Sequence, residues 1–238
     1  MRLKHSPEQI AGVAKKNGDK CVSHERIYQF IWQDKRKKGT LYLDLRNRGR
    51  RYKKRSVIYD KRGIIPNRTD ISQRPPEVEL RERFGDLEID LIIGKNHKGA
   101  ILTINDRATG FGKLRKLDGK DAQQLATATI DCLMEWKPFL KTITSDNGKE
   151  FAAHELVAKH LNIDFFFAKP YASWQRGSNE NFNRLVRQYI PKKVDFDCIP
   201  TDYINFVEYQ LNNRPRKRFK YESPMFMFNQ LFFIFLFF

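Results

Sequence analysis

Asp90 lies within Leu87-Glu88-Ile89-Asp90-Leu91-Ile92-Ile93-Gly94, an apolar run that reads as a buried strand. A carboxylate in such a strand is costly unless a cation or hydrogen-bond donors meet it. Two further acids stand far along the chain. Asp146 follows the short strand Thr142-Ile143-Thr144 in Ser145-Asp146-Asn147-Gly148-Lys149-Glu150-Phe151, and Glu180 opens a helix near Asn179 to Tyr189. Asp90 precedes Asp146 by 56 positions, and 33 residues lie between Asp146 and Glu180. Convergent carboxylates suit Mg2+ or Mn2+, hard cations that take oxygen ligands and keep several waters. Two such ions can activate an attacking oxygen and stabilise a leaving one in phosphoryl transfer. No His/Cys cluster competes for a softer metal.

Each acid has a structural alternative. Asp146 before Asn-Gly suits a turn, and Glu180 suits the positive end of a helix dipole. Asp86 and Glu88 rival Asp90, because strand alternation sets Glu88 and Asp90 on one face. Asp106 reads as a strand end.

The elements that position these residues follow from periodicity. Residues 99–106 (GAILTIND) and 112–117 read as strands that extend the Leu87 run into an antiparallel meander. Residues 122–136 form a helix with Leu125, Ala128, Cys132 and Met134 among its apolar positions. After the strand at 142–144 come a helix at 155–161, a strand at 164–167 and the long helix carrying Glu180. This alternation predicts an α/β fold. Asp146 then falls at a strand's carboxyl end, where open α/β sheets place their sites.

Charge divides the chain. Its 238 residues carry 45 Lys and Arg against 28 Asp and Glu, a formal balance of +17. Residues 1–62 hold 19 against 6, or +13, and residues 63–238 hold 26 against 22, or +4. Such an excess points to a polyanion, with nucleic acid first and an anionic membrane surface second. At 40% hydrophobic residues the chain is too apolar for a disordered basic tail. Cys21, Cys132 and Cys198 are too scattered for a disulfide scaffold or a zinc finger, which suits a reducing cytoplasm. Met1 runs straight into charged, helix-forming sequence, so no signal peptide is expected.

Within the basic quarter, Ser6-Pro7-Glu8-Gln9 is a helix start: a cap, a Pro at the first helical position and a capping-box Gln. Asn17-Gly18-Asp19 breaks that helix, and Ser23 caps a second with Ile27, Phe30 and Ile31 on one side. The pair reads as a helix-turn-helix-like module or as a plain helical hairpin. In the first reading His24 and Arg26 meet base edges. Lys35, Arg36, Lys37 and Lys38 and the cluster from Arg46 to Arg55, including Arg50 and Arg51, contact phosphates.

Four segments in order carry a family pattern. They are Gly85-Asp86-Leu87-Glu88-Ile89-Asp90-Leu91-Ile92-Ile93-Gly94-Lys95, the Ser145 to Phe151 run, Pro170-Tyr171-Ala172-Ser173-Trp174-Gln175-Arg176-Gly177-Ser178-Asn179-Glu180-Asn181, and Leu211-Asn212-Asn213-Arg214-Pro215-Arg216-Lys217. Together they resemble bacterial insertion-sequence transposases of the IS-thirty family, from about Ser6 to Pro224. The resemblance implies an RNase H-like catalytic fold, a mixed five-stranded sheet flanked by helices. It implies Asp90, Asp146 and Glu180 as a DDE triad that is catalytic and holds Mg2+ (or Mn2+), as two ions. In such enzymes water attacks a phosphodiester at the element's end, and the freed 3′-OH attacks target DNA. Lys149, Trp174, Gln175, Arg176 and Asn179 match positions that line the DNA. Trp174 is then either a stacking platform for a base or a buried ring. Asn147 and His154 would support the site.

The implied partners are double-stranded DNA, as element ends and target, and further copies of the chain in an active homo-oligomer. The implied setting is the bacterial cytoplasm, at the nucleoid, with neither a membrane nor a small-molecule substrate. The expected organisation is a helix-turn-helix-like module (1–62), a turn-rich linker (63–80), the catalytic core (81–224) and an apolar tail (225–238). Three departures stand out. Leu87 and Ile89 replace the family's usual Trp and Gly. A further DNA-binding region usually precedes the part matching Ser6. The tail MFMFNQLFFIFLFF replaces a polar ending and is shorter than the roughly 18 apolar residues a membrane span needs. They give the expectation of a truncated amino terminus and an altered carboxyl end, and a rival reading as an inactive remnant that only binds DNA or inhibits.

Overall fold

Ser6 starts the first helix, α1 (Pro7–Asn17), by accepting from the Gln9 backbone N–H at 3.2 Å, while the Gln9 side chain accepts from the Ser6 N–H at 2.9 Å. The reciprocal pair satisfies two N–H groups that a helix start otherwise leaves open. Gly18 ends α1 in the left-handed region, at φ 78°. Ser23 then caps α2 (His24–Arg36) through the Arg26 N–H. Ile31 is buried and Ile27 half-buried, but Phe30, expected on the same side, is 61% exposed. Ile27 and Ile31 are four apart and share one stripe; Phe30 is rotated off it.

In the computed structural model the described residues are 4–48, 65–170, 172–192 and 194–237. The chain forms two compact units, residues 1–58 with 210–238, and residues 59–209. The second unit carries the sheet. Its elements are β1 (Thr69–Asp70), α3 (Glu77–Leu80), β2 (Asp86–Ile93), β3 (Ala100–Asp106), β4 (Gly112–Leu117), α4 (Ala122–Leu133), β5 (Thr142–Ser145), α5 (His154–Leu161), β6 (Asp164–Phe167), α6 (Gly177–Tyr189) and most of α7 (Thr201–Asn212). A last helix, α8 (Pro224–Phe237), belongs to the first unit.

The strand order is β1-β6-β5-β2-β3-β4. Strands β2, β3 and β4 form the expected antiparallel meander, and β5, β6 and β1 run parallel to β2. Helices α4 and α5 pack on one another, and α6 lies along β2 and β3. This is an α/β, RNase H-like layout, with six strands where five were expected. The extra strand comes from the segment expected as a linker: Thr69 pairs with Phe166 and Asp70 with Phe167, while Val78 and Arg74 are buried. The prolines there turn the chain without loosening it, because apolar Val78 and the open edge of β6 both gain from being covered.

Leu87, Ile101, Leu102, Ile143 and Val186 are fully buried, each contributing about 1.5–3 kcal/mol. Gly112 fixes how close α6 comes to the sheet, since a Cβ there would enter the Phe182 ring. Among the described residues no helix is long and apolar enough to cross a membrane.

Candidate active site

Three acids share one face of β2, and their partners separate them. Asp86 is buried, accepts from Arg83 Nε at 2.7 Å and from Thr142 Oγ1 at 2.8 Å, and so ties β2 to β5. Glu88 is fully buried against the equally buried Arg107, 2.5 Å away, and its other oxygen accepts from the Asn179 N–H at 2.8 Å. Both rivals are engaged in holding the fold. Asp106 likewise serves its turn, accepting from Gly85 N–H, Thr109 N–H and Thr109 Oγ1.

Asp90 is left with a side chain 23% exposed. Its Oδ1 accepts from the Leu91 N–H at 2.8 Å and its Oδ2 from Asn183 Nδ2 at 3.0 Å. Parallel pairing sets Glu88 opposite Thr144, and continuing that register by two residues brings Asp146, just past the end of β5, beside Asp90. Gly148 N–H donates to Asp146 Oδ1 at 2.9 Å, so the turn former of the Asp-Asn-Gly run also aims its carboxylate.

Between the two carboxylates stands one guanidinium. Arg176 Nη1 is 3.4 Å from Asp90 Oδ2, and Nη2 is 3.6 Å from Asp146 Oδ2. Nη1 also donates to the Ile89 carbonyl at 3.3 Å. Burial pushes the Asp90 carboxyl up to about 6. Arg176 pulls against that rise and the Asp146 charge adds to it.

Glu180 is exposed in the first turn of α6, three residues before Asn183 and therefore on the same flank of the helix. Among the described residues no three His, Cys, Asp or Glu side chains form a metal-binding group, so Glu180 is not drawn up to the aspartates. Lys149 is exposed, and Trp174 is 76% exposed in the turn Ser173–Arg176, so the buried alternative for that ring falls away. Gln175 accepts from the Lys169 N–H.

Asn179, expected to line DNA, is instead fully buried, with its side chain on Thr103 Oγ1 at 3.2 Å. The first turn of α6 presses that residue onto the sheet. Asn147 bridges Arg68 and the Ala168 carbonyl beside the site. His154, expected as a supporting group, packs among Phe165 and Phe167 in the core. In the first unit His24, Arg26, Arg36, Lys37 and Lys38 are exposed, and Lys35 lies over the Tyr42 ring at 4.4 Å. Arg50 and Arg51 fall outside the described residues.

Two contributors were absent from the sequence reading. Asn183 is recoverable from its spacing to Glu180. The Glu88–Arg107 pair is not, since nothing in sequence joins a turn arginine to that strand.

A transposase for insertion sequence element IS4351 from Bacteroides fragilis is 56% identical over 226 residues, 95% of this chain and 69% of that protein. A transposase for IS1086 from Cupriavidus metallidurans is 34% identical over 229 residues, 93% of this chain and 68% of that protein. The InsI transposase of IS30A from Escherichia coli is 32% identical over 235 residues, 94% of this chain and 61% of that protein. The catalytic core domain of BIV integrase superposes with a TM-score of 0.49 at 19% identity, covering 61% of this chain and 93% of that one. No protein-family model matches the chain. With two relatives above 30% identity, each matched over two thirds of its own length, this chain belongs to the transposases of insertion-sequence elements.

Proposed function

We propose that this transposase cuts and joins DNA at a divalent-cation site formed by Asp90, Asp146 and Glu180. One observation carries the reading: Asp90 on β2 and Asp146 just past the end of the adjacent parallel β5 share a single guanidinium, so a positive charge already lies between their oxygens. The donor set fits Mg2+ or Mn2+, since carboxylate oxygens are hard ligands and, among the described residues, no thiol or imidazole joins them in a metal-binding group. Asn183 Oδ1, buried beside Asp90 without a hydrogen-bond partner, is an acceptor that a metal-bound water would satisfy.

When bound, the ions would supply Lewis-acid activation of an attacking oxygen and charge stabilisation of the leaving one. The rest is done by the chain. Leu91 N–H and Gly148 N–H each fix one carboxylate oxygen, and Asn183 orients the second oxygen of Asp90. Glu180 brings a third carboxylate from the exposed flank of α6. Lys149 offers a cation and Trp174 an apolar plate to DNA at the margin of the site. His24, Arg26 and Lys35 to Lys38 give the other unit a basic surface for the element's ends. Joining two such ends to one target requires more than one copy of a chain that carries one site.

The test is Asp146→Asn with a donor duplex bearing the element's terminal repeats. DNA binding is retained and Mg2+-dependent strand transfer falls to background. Undiminished strand transfer overturns the reading.

A further inference from the structure

We infer that Arg176 is an internal counter-ion that keeps the Asp90–Asp146 pair closed to divalent metal until DNA draws its guanidinium away, so that metal uptake and DNA arrival are coupled. The inference rests on the reading of Asp90 and Asp146 as metal ligands.

The geometry is that of an exchangeable tie. A bidentate guanidinium–carboxylate pair built to stay closes to about 2.7–2.9 Å. Arg176 instead spans two different carboxylates at 3.4 and 3.6 Å, and its hydrogen bond to the Ile89 carbonyl is 3.3 Å long. Charge points the same way. One guanidinium facing two aspartates leaves the cluster a net negative charge, whereas a divalent ion in its place would balance both carboxylates.

A phosphodiester is an anion able to compete for the guanidinium. Guanidinium matches phosphate geometry with two parallel hydrogen bonds, and Arg176 lies two residues from the exposed Trp174. The backbone is suited to releasing it. Arg176 ends the turn Ser173–Arg176, and the next residue is Gly177, with φ −60° and no atom within 4 Å of where a Cβ would stand. Nothing in this conformation calls for glycine there, and an alanine would suit the helix start better. The glycine instead leaves open space beside Arg176 into which a phosphate backbone could come close.

Coupling of this kind is reciprocal: whatever factor DNA adds to metal affinity, metal adds to DNA affinity. The experiment is equilibrium Mn2+ binding to the full chain, read by electron paramagnetic resonance of free Mn2+. It is run at pH 8, well above the Asp90 range, with and without a short duplex of random sequence. Without DNA, Arg176→Gln is expected to bind Mn2+ about tenfold or more tighter than wild type. Duplex is expected to tighten Mn2+ binding to wild type by a similar factor, and to leave the variant unchanged. Equal or weaker Mn2+ binding by the variant overturns the inference, as does a wild type whose affinity ignores DNA. Asp146→Asn separates the two levels of the argument. If it abolishes Mn2+ binding, the ligand reading stands whatever Arg176 does; if Mn2+ still binds, that reading fails first.

Discussion

Replacing Asp90 with asparagine is expected to make the protein more stable at neutral pH, although the carboxylate is proposed as essential to its chemistry. Burial lifts the Asp90 carboxyl from 3.8 to about 6 in the folded chain. A shift of that size withholds about 3 kcal/mol of folding stability at pH 7. The side chain is 23% exposed, and solvent screening brings the expected gain to about 1–3 kcal/mol. Little else is lost. The introduced amide keeps an oxygen for the Leu91 N–H, and Asn183, turned over, can accept from the new NH2 through its unpartnered Oδ1. The sign follows from the direction of the shift. A carboxyl raised above its unfolded value contributes its stability below pH 3.8 and loses it as pH rises through about 6. Urea unfolding in EDTA at pH 7.5 therefore shows the variant more stable, with a melting temperature a few degrees higher. The difference narrows towards pH 4. Asp106, buried and also raised to about 6, titrates in both proteins, so the comparison isolates Asp90. A variant that is no more stable at pH 7.5, or a gap that ignores acidification, refutes the reasoning.

Two further changes probe the surroundings. Glu88→Gln takes the buried carboxylate from Arg107, which keeps the exposed Glu79 at 2.8 Å, and is expected to cost about 3 kcal/mol by urea unfolding, whereas Glu88→Leu combined with Arg107→Met costs clearly less; equal losses would show that charge pairing is not what the site provides. Trp174→Ala removes a ring that packs on little protein, so stability stays within about 0.5 kcal/mol. Affinity for a single-stranded oligonucleotide then weakens by about 1–3 kcal/mol in fluorescence anisotropy if the ring stacks on a base, and unaltered affinity excludes that role.

How far the sequence foretold this site depends on how local each signal was. That an acid on this apolar strand has work to do was legible from the cost of burying it, but the choice of Asp90 over Asp86 and Glu88 rested on the family pattern. The meander from β2 to β4 was legible from short, largely apolar runs of 8, 7 and 6 residues separated by turn residues. Asn179 was misassigned to the DNA surface although its burial was also written in the sequence. It lies 3, 7 and 10 positions before Phe182, Val186 and Tyr189, all buried, and so heads their stripe. Its polar type hid this, because the Thr103 hydroxyl and the Glu88 carboxylate that receive it come from β3 and β2. Strand β1 was missed for a related reason: two residues carry no periodicity, and only the open edge of β6 makes them a strand.

The permanence of the counter-ion is what separates a structural carboxylate from a functional one here. Along β2, Asp86, Glu88 and Asp90 point to one face at intervals of two, and residue type alone cannot rank them. Asp86 meets Arg83 at 2.7 Å and Glu88 meets Arg107 at 2.5 Å, each with a further hydrogen bond from another element. Asp90 meets Arg176 at 3.4 Å and shares it with Asp146. Glu88 gains nothing from releasing Arg107, because that buried arginine would be stranded, and Asp86 is held by the buried Thr142 hydroxyl as well as by Arg83. Arg176 is only partly buried and has solvent and phosphate as alternatives. The same charge chemistry therefore builds the fold at two positions of one strand, and in the proposed site leaves the third able to exchange its cation, the property that metal dependence would need.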